Sequence, residues 1–256
     1  MQRLIILFLC CRALAAGAQH CNIPGNTVIY NYRQQQWTFT DSADALVTSL
    51  PASTFKVVNL LIALETGVIK DEMEVVKWPG HTDTTLYGYR PSIYKDMTVK
   101  EAFEVSAGWV FMELSKKIGK ERYRHYLTAC RYGNGDLSRN DPDFWNYGPF
   151  EVSPRNQVEF LVKVYEEKLP FSKRSFEILK RVMITESKDD HVIRSKTGWT
   201  RVYGNDYGWW VGYLEKKDNV YFFATRLVKD RKVINPDFSK CRRLITIQKL
   251  KELKAM

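Results

Sequence analysis

Histidine is scarce in this chain, and its few copies do not form a metal-binding motif. The four histidines are His20, His81, His125 and His191. No two of them are spaced as zinc ligands are in helical or finger-type sites. The sequence therefore predicts no metal site, and each histidine is interpreted as a structural or surface residue.

Apolar runs long enough to span a membrane are absent as well. The run at residues 4–9 follows Arg3 and precedes the small residues AGA at 16–18. A basic start, a short apolar run and small residues at the end are typical of a secretory signal peptide. We interpret residues 1–18 as a signal peptide and 19–256 as the mature protein, which is secreted to the periplasm and has no stable membrane insertion after cleavage.

Cysteine is sparse too. Cys10 and Cys11 leave with the predicted signal peptide, so that Cys21, Cys130 and Cys241 remain. An odd number of widely separated cysteines permits one disulfide and requires none. The sequence leaves the pairing open.

Acidic residues are outnumbered by basic ones. The formal net charge is +10, and it becomes +8 when Arg3 and Arg12 are removed with the signal peptide, leaving 37 basic and 29 acidic residues. A basic chain suggests a nucleic-acid partner. Secretion and the lack of a compact basic run interleaved with aromatics argue against one, so we predict a solvated basic surface and no nucleic-acid binding.

The hydrophobic pattern predicts strands at both ends of the chain and helices between them. Period-two or continuous apolar segments indicate strands at residues 27–32, 36–40, 207–214 and 220–227. Helices are predicted from Thr98, with Glu101 completing a capping box, to Gly119 with an interruption at Gly108, then over residues 154–169 and 238–254. This order favours an α+β fold in which a helical region, residues 70–190, is inserted between the parts of one sheet.

The segment PASTFKVVNLLIAL at residues 51–64 carries the chemistry that stands out first. Ser53 and Lys56 are three residues apart at the start of an apolar helix, so both side chains lie on one face. An apolar setting lowers the pKa of a lysine, and only the neutral amine accepts a proton or reacts with carbon dioxide. The pair is a candidate nucleophile and base, although a capping serine with a snorkelling lysine would look the same.

Three further motifs follow in order. They are SAG at 106–108, YGN at 132–134 and KTG at 196–198. With the S-x-x-K tetrad, this series strongly resembles the penicillin-recognising serine enzymes. Longer stretches, among them FW at 144–145, NQVEFL at 156–161 and GWWVG at 208–212, are similar to class D (oxacillinase-type) β-lactamases over nearly the whole mature chain. The resemblance implies a single catalytic domain at 19–256 with the serine β-lactamase and transpeptidase fold.

The resemblance also implies a role for each reactive residue. Ser53 would be acylated by a small-molecule β-lactam substrate, and Lys56 would be the general base after carbon dioxide converts it to N6-carboxylysine. Trp145 would donate its indole N–H to that carbamate. Ser106 and Lys196 would relay a proton to the lactam nitrogen, and no cofactor beyond carbon dioxide or bicarbonate is implied.

Substrate binding is assigned in the same way. Backbone N–H groups of Ser53 and Trp199 would form the oxyanion hole. Thr197 and Gly198 of the KTG motif would bind the substrate carboxylate together with Arg242, for which Arg243 is the neighbouring alternative.

Two residues of the YGN motif at 132–134 have a role that the resemblance implies and the sequence alone does not require. Tyr132 and Asn134 line the cleft in relatives, so they are assigned to substrate binding here. A Tyr-Gly-Asn sequence is also compatible with an ordinary turn.

Two departures from the family pattern affect the lysine pocket. Gly108 stands where the family usually has valine, and Asn146 stands where it usually has leucine. Both changes make the pocket less filled or less apolar, and a carbamate lasts only while its nitrogen is kept from protonating. The BlaR and MecR penicillin sensors, which stay acylated, are also polar at these positions.

Two main functions are therefore considered. The first is a secreted class D β-lactamase, and the alternative is a penicillin-binding or sensor protein that keeps its acyl group. A peptidoglycan transpeptidase or carboxypeptidase is a third, less favoured function, because such enzymes usually carry extra domains and an anchor.

Overall fold

The computed structural model of the protein describes residues 21–139 and 141–256, so the predicted signal peptide lies outside the described residues. The strands are β1 (Gly25–Asn31), β2 (Gln36–Phe39), β3 (Val75–Val76), β4 (Met97–Thr98), β5 (Ile184–Ser187), β6 (His191–Val202), β7 (Asn205–Lys216) and β8 (Val220–Asp230). Six of them form one antiparallel sheet in the order β2-β1-β8-β7-β6-β5, and β3 pairs with β4. The predicted sheet built from both ends of the chain is confirmed.

The helices occupy the middle of the chain and its C-terminal end. They are α1 (Lys56–Glu65), α2 (Thr84–Tyr87), α3 (Val99–Glu104), α4 (Gly108–Ile118), α5 (Lys120–Cys130), α6 (Phe144–Tyr147), α7 (Pro154–Tyr165), α8 (Lys173–Val182) and α9 (Phe238–Glu252). Helices α1 to α8 lie between β2 and β5 in sequence. Within the part of the chain that the structure describes, no helix has both the length and the apolar character needed to cross a bilayer.

The sheet is buried on both faces in its centre. Successive side chains of a strand point to opposite faces, so Trp209 of β7 joins the core that contains α1 and α7, and Trp210 joins a second cluster with Leu250 of α9. Both indoles are almost fully buried. Burial on both faces explains why β7 and β8 read as continuous apolar runs instead of alternating ones.

Helix α1 is the most deeply buried helix near the predicted nucleophile. Its residues from Lys56 to Leu64 are all buried, and it packs against α4 and α8. A helix that is apolar all round belongs in the interior of a domain. Its first residue is consequently a lysine with no access to solvent.

The predicted helix from Thr98 to Gly119 is divided by the structure. The Thr98 hydroxyl accepts the backbone N–H of Glu101, as an N-cap does. Helix α3 then ends at Glu104, and α4 begins at Gly108 after a turn in which Ser106 has φ of +56°. The other two predicted helices begin as expected and end slightly early, at Tyr165 and at Glu252.

A disulfide joins Cys21 to Cys241 at the start of α9, across a sequence separation of 220 and with Cα atoms 5.2 Å apart. Cys130 is a buried free thiol. The sequence permitted one disulfide, and the sheet decides which pair forms it, because β1 and β8 bring the start of the described chain beside α9.

Candidate active site

Ser53 and Lys56 lie on a 3-10 turn that runs directly into α1. The turn covers Ala52–Phe55, and Lys56 begins the helix. The Nζ atom of Lys56 donates a hydrogen bond of 2.9 Å to the Oγ atom of Ser53. Ala52 has φ of +51°, a conformation that costs an L-residue about 1–2 kcal/mol. The contact expected from the three-residue spacing is present, on a strained turn rather than inside the helix.

The amine of Lys56 is enclosed by apolar groups. The residue is 0% exposed, and Nζ lies 5.1 Å from the ring centroid of Phe111. Burial lowers the pKa of Lys56 to about 8, while the carboxylate of Asp143 acts in the opposite direction and the charge of Arg90 lowers it further. Loss of the proton at mildly alkaline pH prepares this nitrogen to act as a base or nucleophile.

A second lysine meets a second serine beside this pair. Lys196 of β6 donates hydrogen bonds to the hydroxyl of Ser106 and, at 3.0 Å, to the carbonyl of Thr197. Lys196 is 4% exposed. Its pKa is held well below the ordinary lysine value by burial and then by the charges of Lys56, Arg242 and Arg90. Such a group gives up its proton readily.

The edge of β6 is open where the KTG motif lies. Strand β5 pairs with β6 only at Val192, Ile193 and Arg194. A Cβ atom at Gly198 would lie 2.9 Å from the carbonyl oxygen of Pro51. Only glycine lets this edge approach the turn that carries Ser53 so closely. The side chain of Trp199, by contrast, is 41% exposed and donates to Asp206 at 2.9 Å.

The two candidate arginines have different neighbours. Arg242 donates a hydrogen bond of 2.6 Å to the carbonyl of Gly198, whereas the guanidinium of Arg243 lies 5.2 Å from the ring centroid of Trp210. Burial, assisted by the charge of Arg243, lowers the pKa of Arg242 to about 10. Its Nε atom is buried without a hydrogen-bond partner among the described residues. Arg242 is the arginine beside the open edge of β6.

Trp145 is buried directly behind the nucleophile turn. Its ring stacks on Phe55, with centroids 4.8 Å apart and planes 8° apart. The Nε1 atom is buried and has no hydrogen-bond partner in the part of the chain that the structure describes. A buried indole donor usually has an acceptor, so this site fits an additional acceptor such as a carboxylate on Lys56.

Tyr132 does not face the cavity, which corrects its assignment to substrate binding. It is 1% exposed, and its hydroxyl donates to Gln157 at 3.0 Å. An aromatic residue that packs against Phe150 and Phe160 serves the core. The side chain of Asn134 donates to Pro149 at 2.9 Å and accepts from its own turn; substrate binding by Asn134 stays a prediction.

Two charged residues at the site were not anticipated from the sequence as functional. Arg90 donates to the backbone carbonyls of Val105 and Ser106 and so clamps the turn that carries Ser106. Asp143 is a buried carboxylate that accepts hydrogen bonds from Tyr87 and Asn146. Nothing in the spacing of Arg90 points to Ser106, whereas Asp143 directly precedes the recognised pair Phe144-Trp145.

These elements border one open cavity of about 430 Å³. Its lining includes both reactive serines and many aromatic and polar groups: Ser53, Thr82, Leu86, Tyr87, Gly88, Arg90, Ile93, Tyr94, Ser106, Gly108, Trp109, Met112, Asn146, Tyr147, Trp199, Thr200 and Arg201. A Cβ atom at Gly108 would meet no atom within 4 Å. The cavity has the size of a small-molecule site, and Gly108 leaves open space in its lining.

Among residues 21–139 and 141–256, no cluster of three or more His, Cys, Asp and Glu side chains is arranged to hold a metal ion. The reactive groups of the cavity are serines and lysines. The chemistry that they support is nucleophilic attack with proton transfer.

Comparison with known proteins identifies the family. Residues 26–238 match the penicillin-binding protein transpeptidase domain. β-Lactamase OXA-48 of Klebsiella pneumoniae is 40% identical over 204 residues, which cover 79% of this chain and 75% of that protein. The crystal structure of a class D β-lactamase from Sebaldella termitidis is 36% identical and superposes with a TM-score of 0.87, covering 93% of this chain and 94% of that one.

A sensor protein is also related. Regulatory protein BlaR1 of Bacillus licheniformis is 32% identical over 209 residues, which cover 81% of this chain but 34% of that protein. The match covers 75% of the length of OXA-48 but only 34% of the length of BlaR1. The order of the motifs, the fold and these relationships together show that the chain belongs to the class D β-lactamases, serine hydrolases built on the transpeptidase fold.

Proposed function

We propose that this protein is a secreted β-lactamase that hydrolyses β-lactams through an acyl-Ser53 intermediate, with carbamylated Lys56 as the general base. The observation that carries the proposal is the 2.9 Å hydrogen bond between Lys56 Nζ and Ser53 Oγ in a pocket where burial lowers the pKa of the lysine. A serine is a weak nucleophile until an adjacent base removes its proton. This pair supplies both parts.

Acylation uses two serine–lysine pairs. Ser53 Oγ attacks the lactam carbonyl carbon and passes its proton toward Lys56, and the carbon–nitrogen bond of the ring then breaks. The departing nitrogen takes a proton from the hydroxyl of Ser106, which Lys196 replenishes through their hydrogen bond. Lys56 then returns its proton to solvent and Lys196 regains one. In deacylation a water molecule attacks the acyl carbon, its proton passes by way of Lys56 to Ser53 Oγ, and the bond between Ser53 and the acyl carbon breaks.

The substrate is held by the turn and by the open edge of β6. Backbone N–H groups of Ser53 and Trp199 are assigned to the oxyanion, and each such donor lowers a barrier of this kind by roughly 3–4 kcal/mol. Thr197, Gly198 and Arg242 are assigned to the substrate carboxylate. Arg242 is preferred to Arg243 because it is hydrogen-bonded to Gly198.

Carbon dioxide bound covalently to Lys56 would supply a carboxylate base next to Ser53. The residues present fit that group in two ways. The lowered pKa of Lys56 makes its neutral amine available at mildly alkaline pH, and the buried Nε1 of Trp145 is a donor without a protein acceptor. No metal ion takes part.

An intact-mass time course with benzylpenicillin tests this function. The mature wild-type protein should gain the mass of the drug at Ser53 and then lose it, faster with added bicarbonate, as penicilloate accumulates. Ser53→Ala should gain no mass, whereas Ser187→Ala, at an exposed serine of β5, should behave as wild type. A wild-type protein that never gains the mass contradicts the proposal.

The sensor function is the second candidate, because two features of the lysine pocket favour it. Gly108 leaves space beside the site, and the buried amide of Asn146 makes the pocket polar. Either feature gives water access to a carbamate. An adduct that persists for hours without penicilloate would establish a binding protein in place of a hydrolase.

Secretion is proposed from residues 1–18 alone. Expression of the full chain in a Gram-negative host should yield a periplasmic protein whose mass corresponds to a start at Gln19. A product that retains residues 1–18 in the cytoplasm would contradict it.

A further inference from the structure

Asp143 is a buried carboxylate next to residues that line the cavity, and the hydrolytic scheme assigns it no role. It is 1% exposed and forms no ion pair with a described lysine, arginine or histidine. One of its oxygens accepts the hydroxyl of Tyr87 at 2.5 Å and the other accepts the amide of Asn146 at 2.7 Å. Burial of a carboxylate costs free energy unless other groups compensate. This cost suggests that Asp143 serves the site as well as the fold.

The partners of Asp143 connect it to the reactive lysine. Tyr87 and Asn146 both line the cavity that contains Ser53, and Asp143 immediately precedes α6, whose Trp145 stacks on Phe55. Phe55 is the neighbour of Lys56. The carboxylate is therefore bonded to two residues that line the cavity with Ser53, and it precedes a helix that packs against the turn leading to Lys56.

We propose that Asp143, held by Tyr87 and Asn146, is a positioning residue that sets the charge of Lys56 and thereby opposes its carbamylation. The inference rests on the proposed function, since it concerns the same lysine. A nearby anion stabilises the ammonium form of a lysine and repels a new anion on its nitrogen. Both effects act against carbamate formation.

The chemical step shows why charge matters. The lone pair of the neutral Lys56 nitrogen attacks the carbon of carbon dioxide, a nitrogen–carbon bond forms, one carbon–oxygen π pair moves to oxygen, and one proton leaves the nitrogen. Starting from the ammonium form, two protons are released. An ionised Asp143 makes the first loss harder and the resulting anion less stable.

The electrostatics around the two groups agree with this assignment. The carboxylate of Asp143 raises the pKa of Lys56 against the larger effect of burial and against the charge of Arg90. Burial raises the pKa of Asp143 to about 7, while hydrogen bonds from Tyr87 and Asn146 and the charge of Lys56 lower it.

Two other groups face the carboxylate. Asp141 raises its pKa, and the buried part of the Tyr147 ring is close enough for Asp143 to raise the pKa of the phenol. Neither neutralises Asp143, so burial opposes its ionisation whereas Tyr87, Lys56 and Asn146 favour it. Ionised Asp143 should consequently act on Lys56 from neutral pH upward.

Titration with ¹³C-labelled bicarbonate, followed by the carbamate signal in ¹³C NMR, tests the proposal. Asp143→Asn preserves the shape and an acceptor for Asn146 but removes the charge. Each unit by which the pKa of Lys56 falls lowers the bicarbonate needed for half-carbamylation at neutral pH about tenfold. This variant should therefore need severalfold less bicarbonate, and its pH profile of carbamylation should move toward lower pH.

Two further variants complete the test. Tyr87→Phe removes a hydrogen bond that favours the ionised carboxylate, so it should shift the bicarbonate requirement in the same direction by a smaller factor. Asp218→Asn is the control, because it removes an exposed carboxylate that is paired with Arg33 and does not line the cavity; its requirement should stay close to that of wild type.

The outcome separates the inference from the proposed function. The inference is overturned if the Asp143→Asn variant needs as much bicarbonate as wild type or more. It is also overturned if this variant gives no carbamate signal. Intact mass with benzylpenicillin is recorded on the same samples. No acyl adduct in wild type counts against the proposed function, whereas normal adducts with coincident bicarbonate titrations count against the inference alone.

Discussion

Lys196 donates a hydrogen bond to the hydroxyl of Ser106, although 90 residues separate them in sequence. Strand β6 brings the lysine, and the turn between α3 and α4 brings the serine. Ser106 has positive φ, a strained conformation of the kind that accumulates at functional sites. Arg90 holds the same turn through two backbone carbonyls.

The first prediction concerns this proton relay. Lys196→Ala should slow acylation of Ser53 about 10²- to 10⁴-fold, the usual contribution of a positioned acid or base. Ser106→Ala should give a loss of similar order. The acylation rate is measured by stopped flow, and Lys188→Ala, at an exposed lysine paired with Glu186, is the control. If Lys196→Ala acylates at the wild-type rate, Lys196 has no part in the mechanism.

The second prediction distinguishes the two arginines of α9. Arg242→Ala should raise KM about 10- to 100-fold with a smaller effect on kcat, because a hydrogen bond to a charged group contributes roughly 1.5–3 kcal/mol. Arg243→Ala should leave KM nearly unchanged. Steady-state kinetics with a penicillin provide the comparison, and the reverse ranking would assign the carboxylate to Arg243.

The third prediction tests the space beside the lysine pocket. Gly108→Val should accelerate deacylation severalfold at a fixed bicarbonate concentration, because an apolar side chain in this space would keep water from a carbamate on Lys56. Gly108→Ala should show a smaller increase, and the open space at this Cβ position leaves room for both. Unchanged deacylation in both variants would mean that the missing side chain does not control the lysine.

The fourth prediction follows from the buried charge of Lys56. Its pKa falls from 10.5 to about 8 on folding, so the unfolded chain binds more protons between these values and wild-type stability rises with pH across that window. Lys56→Met should inactivate the protein yet stabilise it by about 2 kcal/mol at neutral pH, after allowance for the hydrogen bond to Ser53.

Urea unfolding at several pH values measures the effect. The advantage of the methionine should be greatest below about pH 8 and should fade toward about pH 10, where the lysine is neutral in both states. A methionine variant that is less stable than wild type throughout would show that the charge is better compensated than its burial suggests.

The fifth prediction concerns the link between Cys21 and Cys241. Cys21→Ser should lower the free energy of unfolding by about 2–4 kcal/mol, because the disulfide restricts the unfolded chain over a separation of 220 residues. Reduced wild-type protein should match the variant, and a reductant should not affect the variant itself. Equal stability of oxidised and reduced wild type would contradict this.

Much of the fold could be predicted from local patterns. The hairpin of β7 and β8, the cap at Thr98 and the start of α7 at Pro154 depend on neighbouring residues, and all three were expected. The break between α3 and α4 was expected only as an interruption, because the conformation of Ser106 depends on contacts with β6 and with Arg90.

The sequence by itself determined that Ser53 and Lys56 meet, since a spacing of three along a helical turn puts two side chains on one face, and its ordered motifs indicated the family. The tertiary structure alone decided that Tyr132 is a core residue, that Cys21 pairs with Cys241 and that Asp143 is buried in hydrogen bonds with Tyr87 and Asn146. These relationships join segments that are distant in sequence. They arise from the packing of the sheet against the helices, which no local spacing records.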